Sequence, residues 1–205
     1  MVIVKLAHLD SVELNYSLLS PQVINDAESL NGTRKKQFLA CRSILASLLK
    51  QYCHIDTLPT MIIADNNRPG FLDSHLPDFN ISHSQDWVAV AISLNGKVGL
   101  DIEVSRQRQN YLNVAKSFFA NDEYQWMLAQ SDTLNAFWQL WTLKESALKL
   151  YAKGVWQMKL VKVDIENQLI SAPFGQHFYY HYQQQAPVHL AVNHDKPITN
   201  FVLQS

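Results

Sequence analysis

Hydrophobic and polar residues alternate along this chain with two different periods, and each period predicts one kind of element. A period near 3.6 predicts long helices at 34–52 and 134–153, and two shorter ones within 111–130. A period of two predicts strands near 1–10, 60–64, 79–93, 98–103, 158–166, 177–184, 188–194 and 199–204. A long helix followed by strands therefore occurs twice, which suggests duplication, although no residue-level repeat accompanies it.

The helix at 134–153 organises the second half of the chain. Its apolar stripe follows the i, i+3, i+4, i+7 spacing of a buried face: Leu134, Phe137, Trp138 and Trp141. The same stripe continues to Glu145, and Gly154 is the expected stop. Acidic residues are almost never fully buried unless they are paired or bind a metal. Glu145 is therefore either half of a surface pair with Lys149, the commoner arrangement, or a functional group.

A two-residue hairpin turn is predicted at Asn95-Gly96, between VAVAISL and KVGLDIE. Alternation along the second strand then places Asp101 and Glu103 on one face. A strict two-residue turn sets Val90 opposite Asp101. Two like charges on a half-apolar face repel each other unless a cation lies between them, so this strand is a second candidate for chemistry.

The helix at 34–52 begins with a run of cations. Thr33 is its expected N-cap. The basic residues of its first turn and middle are Arg34, Lys35, Lys36 and Arg42. Cations at the N-terminus of a helix oppose its dipole, so such a run is unfavourable without an anion. The residues support two interpretations: a solvated basic face, or a site for a bound phosphate.

Composition narrows the class of protein. The 205 residues are 47% hydrophobic and 17% charged, which is typical of a globular chain. A formal net charge of -1 gives no broad attraction to nucleic acid or to an anionic membrane, so neither partner is expected. The two cysteines show no metal-ligand spacing, and the N-terminus has no long apolar run. Together these features predict a cytoplasmic protein.

Two motifs, in order, resemble those of a known family. VGLDIE at 98–103 followed by WTLKESALK at 141–149 is similar to the paired signature of the 4′-phosphopantetheinyl transferases, in the holo-ACP synthase superfamily. The most similar type is the one named after the surfactin-synthetase activator. FNISHS at 79–84 and FF-x-x-x-E-Y at 118–124 also match, so the resemblance covers residues 34–154. It implies transfer of the 4′-phosphopantetheine arm of coenzyme A to a serine of an apo acyl or peptidyl carrier protein, with release of 3′,5′-ADP.

The resemblance also implies a fold. The expected class is α+β, a pseudo-dimer of two similar subdomains that each consist of a helix packed on a small antiparallel sheet. Residues 1–97 would contact the nucleotide of coenzyme A, and residues 98–205 would carry the metal and the catalytic groups. Because both halves belong to one chain, we expect a monomer.

The family's motifs assign roles to individual residues. Its metal-binding acids fall on Asp101, Glu103 and Glu145, and oxygen ligands of this kind suit Mg²⁺ or Mn²⁺. Its coenzyme A contacts fall on Arg42, Arg68, Ser82, His83, Lys144 and Lys149. The implied catalytic residues are Lys149 and Glu145, with Glu145 as the base that takes the proton of the carrier serine. A metal-activated water is the alternative base.

Two other functions compete with this one. A Mg²⁺-dependent nuclease or phosphohydrolase would also use Asp101 and Glu103. Common nuclease patterns place a lysine two residues after the second acid, however, and Ser105 stands there. A non-catalytic module that binds carrier proteins is the other alternative, and the intact acids and Lys149 argue against it.

An apolar surface is expected for the carrier protein. Phe118 and Phe119 are adjacent in sequence, so both cannot readily face one core. We therefore predict that the carrier docks near Phe118, Phe119 and Met127. Arg106 and Arg108 lie shortly before this segment and would attract an acidic partner.

Overall fold

The computed structural model describes residues 1–64 and 68–205, except for the side chains of 176–178. The helices are α1 (Pro21–Glu28), α2 (Gly32–Cys53), α3 (Tyr111–Phe118), α4 (Asn121–Leu128) and α5 (Thr133–Leu150). The strands are β1 (Val2–His8), β2 (Met61–Ile63), β3 (Pro69–Phe71), β4 (Asp78–Ser84), β5 (Trp87–Ser93), β6 (Val98–Val104), β7 (Lys162–Asp164), β8 (Leu169–Ala172), β9 (Gly175–Gln185), β10 (Val188–His194) and β11 (Phe201–Gln204). Helices and sheets of this kind confirm the predicted α+β class.

The chain divides into two compact units. The first consists of Met1–Val98 together with Thr199–Ser205, and the second is Gly99–Ile198. The sequence instead assigns all of 98–205 to one subdomain. The difference arises because β11 pairs with β1, which brings the C-terminal strand into the first sheet.

In the first unit, α2 packs on a sheet with the strand order β11-β1-β5-β4. β5 pairs antiparallel with both β1 and β4. β11, however, runs parallel to β1. This sheet is therefore mixed, and the expectation of a purely antiparallel sheet is wrong for this unit. Parallel neighbours need a long connection, and here nearly the whole chain separates the two strands.

The hairpin predicted at Asn95-Gly96 does not form. Gly96 does adopt a positive φ of 99°, as such a turn requires. The two flanking strands nevertheless belong to different sheets, because β5 pairs with β1 and β4 whereas β6 pairs with β10. Val90 lies opposite Lys5 rather than Asp101. The local turn signal is correct, but strands remote in sequence decide the pairing.

In the second unit, α5 packs on a sheet with the strand order β6-β10-β9-β8-β7. The pairs β10/β9, β9/β8 and β8/β7 are antiparallel. Phe137, Trp138 and Leu148 of α5 are each 0% exposed and belong to the core of this unit. The predicted apolar stripe of the helix is thus buried at these three residues, whereas Leu134 and Trp141 are half-buried.

β6 lies directly against α5 at Gly99. A Cβ atom built on Gly99 would lie 2.1 Å from the carbonyl oxygen of Ser146 and 2.7 Å from the amide nitrogen of Leu150. Both are backbone atoms of the helix and cannot rotate away, so only glycine fits here. Because Gly99, Asp101 and Glu103 share one face of the strand, this close approach turns both carboxylates towards α5.

The end of α5 differs from its prediction. The helix ends at Leu150, and the amide of Lys153 donates to the carbonyl oxygen of Leu148 at 2.8 Å. Ala152 takes the left-handed conformation with a φ of 50°, so the expected stop at Gly154 is wrong. The following residues, Val155–Leu160, form a 3₁₀ helix that replaces much of the strand predicted at 158–166. In the part of the chain that the structure describes, no helix is long and apolar enough to cross a membrane.

Candidate active site

The acids of β6 are each held by a cation. The ammonium group of Lys149 donates to Oδ1 of Asp101 at 2.6 Å, and Asp101 is only 5% exposed. A guanidinium nitrogen of Arg106 donates to Oε2 of Glu103 at 3.1 Å. Lys149 comes from α5, so its ion pair joins the helix to the strand. Lys149 is therefore paired with Asp101, whereas the surface-pair interpretation expects Glu145 as its partner.

Glu145 lies on the same side of α5 as this ion pair. Trp141, Glu145 and Lys149 follow each other at four-residue spacing and form a half-buried stripe along α5. Burial, followed by charge repulsion from Asp101, raises the pKa of Glu145 to about 7; Glu103 adds to the rise and Lys149 opposes it. A carboxyl group with this pKa can take up a proton near neutral pH, as a general base must.

The three acids do not form a ready-made metal site. Among the side chains that the structure describes, no three His, Cys, Asp or Glu residues come together in an arrangement that could hold an ion. Asp101 and Glu103 are engaged by Lys149 and Arg106 instead. The donor chemistry nevertheless fits Mg²⁺, because all the ligands are carboxylate oxygens. The repulsion that Glu145 experiences from both strand acids is also what a cation would relieve.

Lys144 does not reach this surface, although it was assigned to a phosphate. Its side chain is 0% exposed and its ammonium group lies 2.7 Å from Oε2 of Glu123. It also donates to the carbonyl oxygens of Met158, at 3.3 Å, and Val161. Successive residues of a helix point about 100° apart, so the neighbour of Glu145 faces another side of α5. A phosphate contact by Lys144 is inconsistent with this environment.

A cavity of about 450 Å³, lined by both polar and apolar residues, lies in the first unit beside the start of α2. Arg42 lines it, with its guanidinium 3.8 Å from the ring centre of Phe38. Burial lowers the pKa of Arg42, which Cys41 and Asp26 counteract. Among the described residues no carboxylate forms an ion pair with Arg42, and its buried Nε has no hydrogen-bond partner. A cation kept from water in this way favours an anionic ligand.

The basic first turn of α2 contributes one residue to this cavity. Arg34 and Lys36 are both exposed, but only Arg34 lines the cavity. The helix begins at Gly32, and Asn31 takes the N-cap position without a side-chain hydrogen bond, so the prediction of Thr33 as the cap is wrong. The phosphate interpretation of the basic turn suits Arg34, and the solvated-face interpretation suits Lys36.

The remaining nucleotide residues are Ser82, His83 and Arg68. Ser82 and His83 are neighbours on β4 and point to opposite faces; His83 is exposed and lines the cavity, while Ser82 is 3% exposed. Arg68 binds both carboxylate oxygens of Asp78 at 2.7 Å. It also donates to the carbonyl oxygens of Phe79 and Val98. The structure therefore brings His83, but not Ser82, to the cavity of Arg42.

The predicted docking surface is largely core. Phe119 is 2% exposed and Met127 is 0% exposed, so the prediction is wrong for both. Phe118 is half-buried against the ring of Trp141. Both phenylalanine rings pack against the same core. They can do so because α3 ends at Phe118 and the backbone becomes extended at Phe119, so the two side chains do not diverge as neighbours within a helix would.

Sequence reasoning missed two residues that shape this region. Gly99 received no role, although a glycine inside a strand often marks a close backbone approach. Glu123 likewise received no role, whereas it is the partner of Lys144. The signal for Glu123 was its place in FF-x-x-x-E-Y, but nothing in the sequence identified which cation it meets.

Comparison with known proteins identifies the family. The profile of the 4′-phosphopantetheinyl transferase superfamily matches residues 97–204. A Haemophilus influenzae protein is 31% identical over 194 residues, which cover 89% of this chain and 81% of the relative. The 4′-phosphopantetheinyl transferase AcpT of Salmonella typhimurium is 34% identical over 148 residues, or 71% of this chain and 72% of AcpT. The 4′-phosphopantetheinyl transferase gsp of Aneurinibacillus migulanus is 40% identical over 124 residues, or 57% and 51%.

The chain belongs to the 4′-phosphopantetheinyl transferase superfamily, and it is a transferase enzyme. Enzymes of this family use coenzyme A as the substrate that provides phosphopantetheine, and carrier proteins accept it. The competing interpretations as a nuclease or as a non-catalytic binding module are therefore set aside.

Proposed function

We propose that this enzyme transfers the 4′-phosphopantetheine arm of coenzyme A to a serine of an apo acyl or peptidyl carrier protein and releases 3′,5′-ADP. The observation that carries the proposal is the position of Glu145. Its pKa is raised to about 7, it is repelled by Asp101 and Glu103, and it lies one turn from Lys149 on α5. A base, a pair of acids and a cation are the groups that such a transfer requires.

The nucleotide end of coenzyme A is assigned to the cavity of the first unit. Arg42 would bind the 3′-phosphate, because its Nε is buried without a hydrogen-bond partner and no carboxylate among the described residues forms an ion pair with it. His83 and Arg34 line the same cavity and would contact phosphate oxygens. The nitrogens of Arg68 already bind Asp78, so a contact with adenine would use the planar face of its guanidinium.

Asp101, Glu103 and Glu145 would hold a divalent ion, with Mg²⁺ preferred and Mn²⁺ as a substitute. Bound there, the ion supplies positive charge that offsets the charge of the pyrophosphate. Lys149 supplies a further cation at the same place, since its ammonium group already lies 2.6 Å from Asp101. It would bind a phosphate oxygen as negative charge builds up on the leaving group.

The reaction is a direct displacement. The hydroxyl oxygen of the carrier serine forms a bond to the β-phosphorus of coenzyme A. The bond from that phosphorus to the oxygen of 3′,5′-ADP breaks, and 3′,5′-ADP leaves with the electron pair. Glu145 takes the proton of the serine, directly or through a water molecule.

Incubation with coenzyme A, Mg²⁺ and several apo carrier proteins tests the activity. Mass spectrometry should show the gain of one phosphopantetheine arm on the serine. Glu145→Gln should lower kcat by about 100-fold or more, because the variant cannot accept the proton. Glu166→Gln, at an exposed position, is the matched control and should behave like the wild type. A Glu145→Gln enzyme of wild-type activity would remove Glu145 from the mechanism.

A second experiment tests the nucleotide site. Arg42→Gln should raise the KM for coenzyme A about tenfold or more, and should leave the KM for 3′-dephospho-coenzyme A nearly unchanged. Lys50→Gln, an exposed position on the same helix, serves as the control. Equal effects on both substrates would contradict the assignment of Arg42 to the 3′-phosphate.

We further infer a pseudo-dimer of the surfactin-activator type, acting as a monomer in the cytoplasm. Its support is that each unit, considered by itself, has one long helix packed on a sheet: α2 in the first and α5 in the second. Light scattering after gel filtration tests the monomer, and a mass of twice 23.5 kDa would contradict it.

A further inference from the structure

The most completely buried ion pair described in the second unit lies outside the proposed chemistry. The side chains of Lys144 and Glu123 are 0% and 3% exposed, and their charged atoms are 2.7 Å apart. Breaking such a pair by removing one partner is strongly destabilising, because the other charge is left buried and unpaired. A well-packed apolar pair at the same place, however, would often be as stable or more so. Stability alone therefore does not explain why a cation is here.

The pair connects four separate segments. Besides Glu123, the ammonium group of Lys144 binds the carbonyl oxygens of Met158 and Val161, at the end of the 3₁₀ helix Val155–Leu160. Glu123 accepts from the amide of Ala120 at 2.7 Å, before α4, and from the amide of Val163 at 2.9 Å, in β7. Two side chains thus connect α5 to α4, the 3₁₀ helix and β7. The lysine does so through backbone carbonyl oxygens, which only accept hydrogen bonds, and the glutamate through backbone amides, which only donate them.

These contacts fix the rotation of α5 about its own axis. Lys144 can reach its three oxygen partners only while its side of the helix faces α4 and β7. Glu145 is the next residue and Lys149 is five further along, so one rotation of the helix sets the directions of all three. On its other side α5 packs against β6 at Gly99, so closely that a Cβ atom added there would lie 2.1 Å from the carbonyl oxygen of Ser146.

We propose that Lys144, held by Glu123, is a positioning residue that orients Glu145 and Lys149 towards Asp101 on β6. Lys144 does not touch substrate in this role and acts only through the direction of α5. The catalytic consequence rests on the proposed function, whereas the orientation of the helix does not. Small misplacements of catalytic groups are costly, and a shift of 1 Å can lower a rate by about 100-fold.

The test uses the full-length enzyme and three variants: Lys144→Met, Glu123→Gln, and the exchanged pair Lys144→Glu with Glu123→Lys. Met keeps most of the length of the lysine chain and removes the charge. Lys159→Met, on an exposed lysine, is the matched control. The readouts are kcat, the KM for coenzyme A, and hydrogen exchange of the amides of α5 with those of α2 as internal reference.

Lys144→Met and Glu123→Gln should each lower kcat by about 10-fold to 100-fold and change the KM for coenzyme A less than about twofold. Exchange should become faster in α5 and stay unchanged in α2. The exchanged pair should not restore kcat, because a carboxylate would then face two carbonyl oxygens and an ammonium group would face two amides. A large rise in KM alone for Lys144→Met would overturn the proposal and return Lys144 to the phosphate.

Failure of the proposed transferase function can be distinguished from failure of the positioning role. If wild-type enzyme modifies no carrier, the exchange measurement still tests the orientation of α5. Unchanged exchange in α5 of both single variants would overturn the positioning role even if the transferase assay succeeds. Faster exchange in α2 as well as α5 would also overturn it, because the pair would then support general stability only.

Discussion

α5 carries two lysines, Lys144 and Lys149, with similar ion pairs and opposite surroundings. Lys144 binds Glu123 at 2.7 Å with both side chains almost fully buried. Lys149 binds Asp101 at 2.6 Å, but its side chain is 33% exposed. The distances are nearly equal, so the length of the ion pair does not tell which lysine is structural and which is functional.

The partners around each ion pair make that distinction. Lys144 and Glu123 together have four backbone partners, which no ligand can replace without unfolding the region. Asp101 instead lies near Glu145 and Glu103, and these like charges destabilise one another without a cation. A structural ion pair is satisfied by the protein alone. A functional ion pair has neighbouring like charges whose repulsion a bound ligand can reduce.

The largest expected effect is a difference in the free energy of unfolding between variants of the two lysines. Lys144→Met should lower the free energy of unfolding of the second unit, which contains α5, by about 3–5 kcal/mol, because it leaves Glu123 buried and unpaired. Lys149→Met should cost less, about 1 kcal/mol, since the side chain of Lys149 is 33% exposed. Millimolar Mg²⁺ should recover stability in Lys149→Met, where the ion can replace the ammonium charge, but not in Lys144→Met. Urea denaturation measures all four values, and equal recovery in both variants would contradict the distinction.

A second substitution tests the contact that supports the functional side of α5. Gly99→Ala places a Cβ atom 2.1 Å from the backbone of Ser146, so strand and helix must move apart. The cost should be near the upper end of the ~1–3 kcal/mol typical of overpacking, with a marked loss of activity. Gly154→Ala is the control, because no atom lies within 4 Å of its Cβ position and its φ is -78°. Thermal unfolding and the carrier assay measure both; a stable, active Gly99→Ala enzyme would show that the close approach is not needed.

The smallest effect concerns His189, another buried polar group with internal partners. Its Nδ1 lies 2.7 Å from the hydroxyl of Tyr182 and its Nε2 lies 2.8 Å from that of Ser105. Burial lowers the pKa of His189 to about 4, although Asp132 opposes the shift. Between pH 6.5 and 4 the unfolded chain therefore binds a proton that the folded chain does not, and stability falls as the pH falls.

The loss attributable to His189 should be about 2 kcal/mol between pH 7 and pH 5. His189→Asn keeps a polar side chain but does not titrate, so its stability should depend less on pH over this range. Urea denaturation at the two pH values measures the difference. An unchanged pH dependence in the variant would show that His189 does not cause it.

Much of the site was predictable because its residues follow local rules. A carboxylate on the apolar stripe of a helix marked Glu145, and two acids on one face of a strand marked Asp101 and Glu103. Asp101 is buried, and both strand acids repel Glu145, but the assignment of the three acids to a catalytic site stays a prediction. The predictions failed where a distant partner decided the outcome. Neither the pairing of β6 with β10 nor the partner of Lys144 follows from neighbouring residues.

The sequence by itself determined the helices, most of the strands and the types of charged group, because periodicity and turn chemistry act over a few residues. Tertiary structure alone decided which strands pair, which lysine of α5 is buried and where β11 lies. These outcomes depend on packing between segments far apart in the chain. The two lysines of one helix show this most directly, since only their surroundings in the folded unit tell them apart.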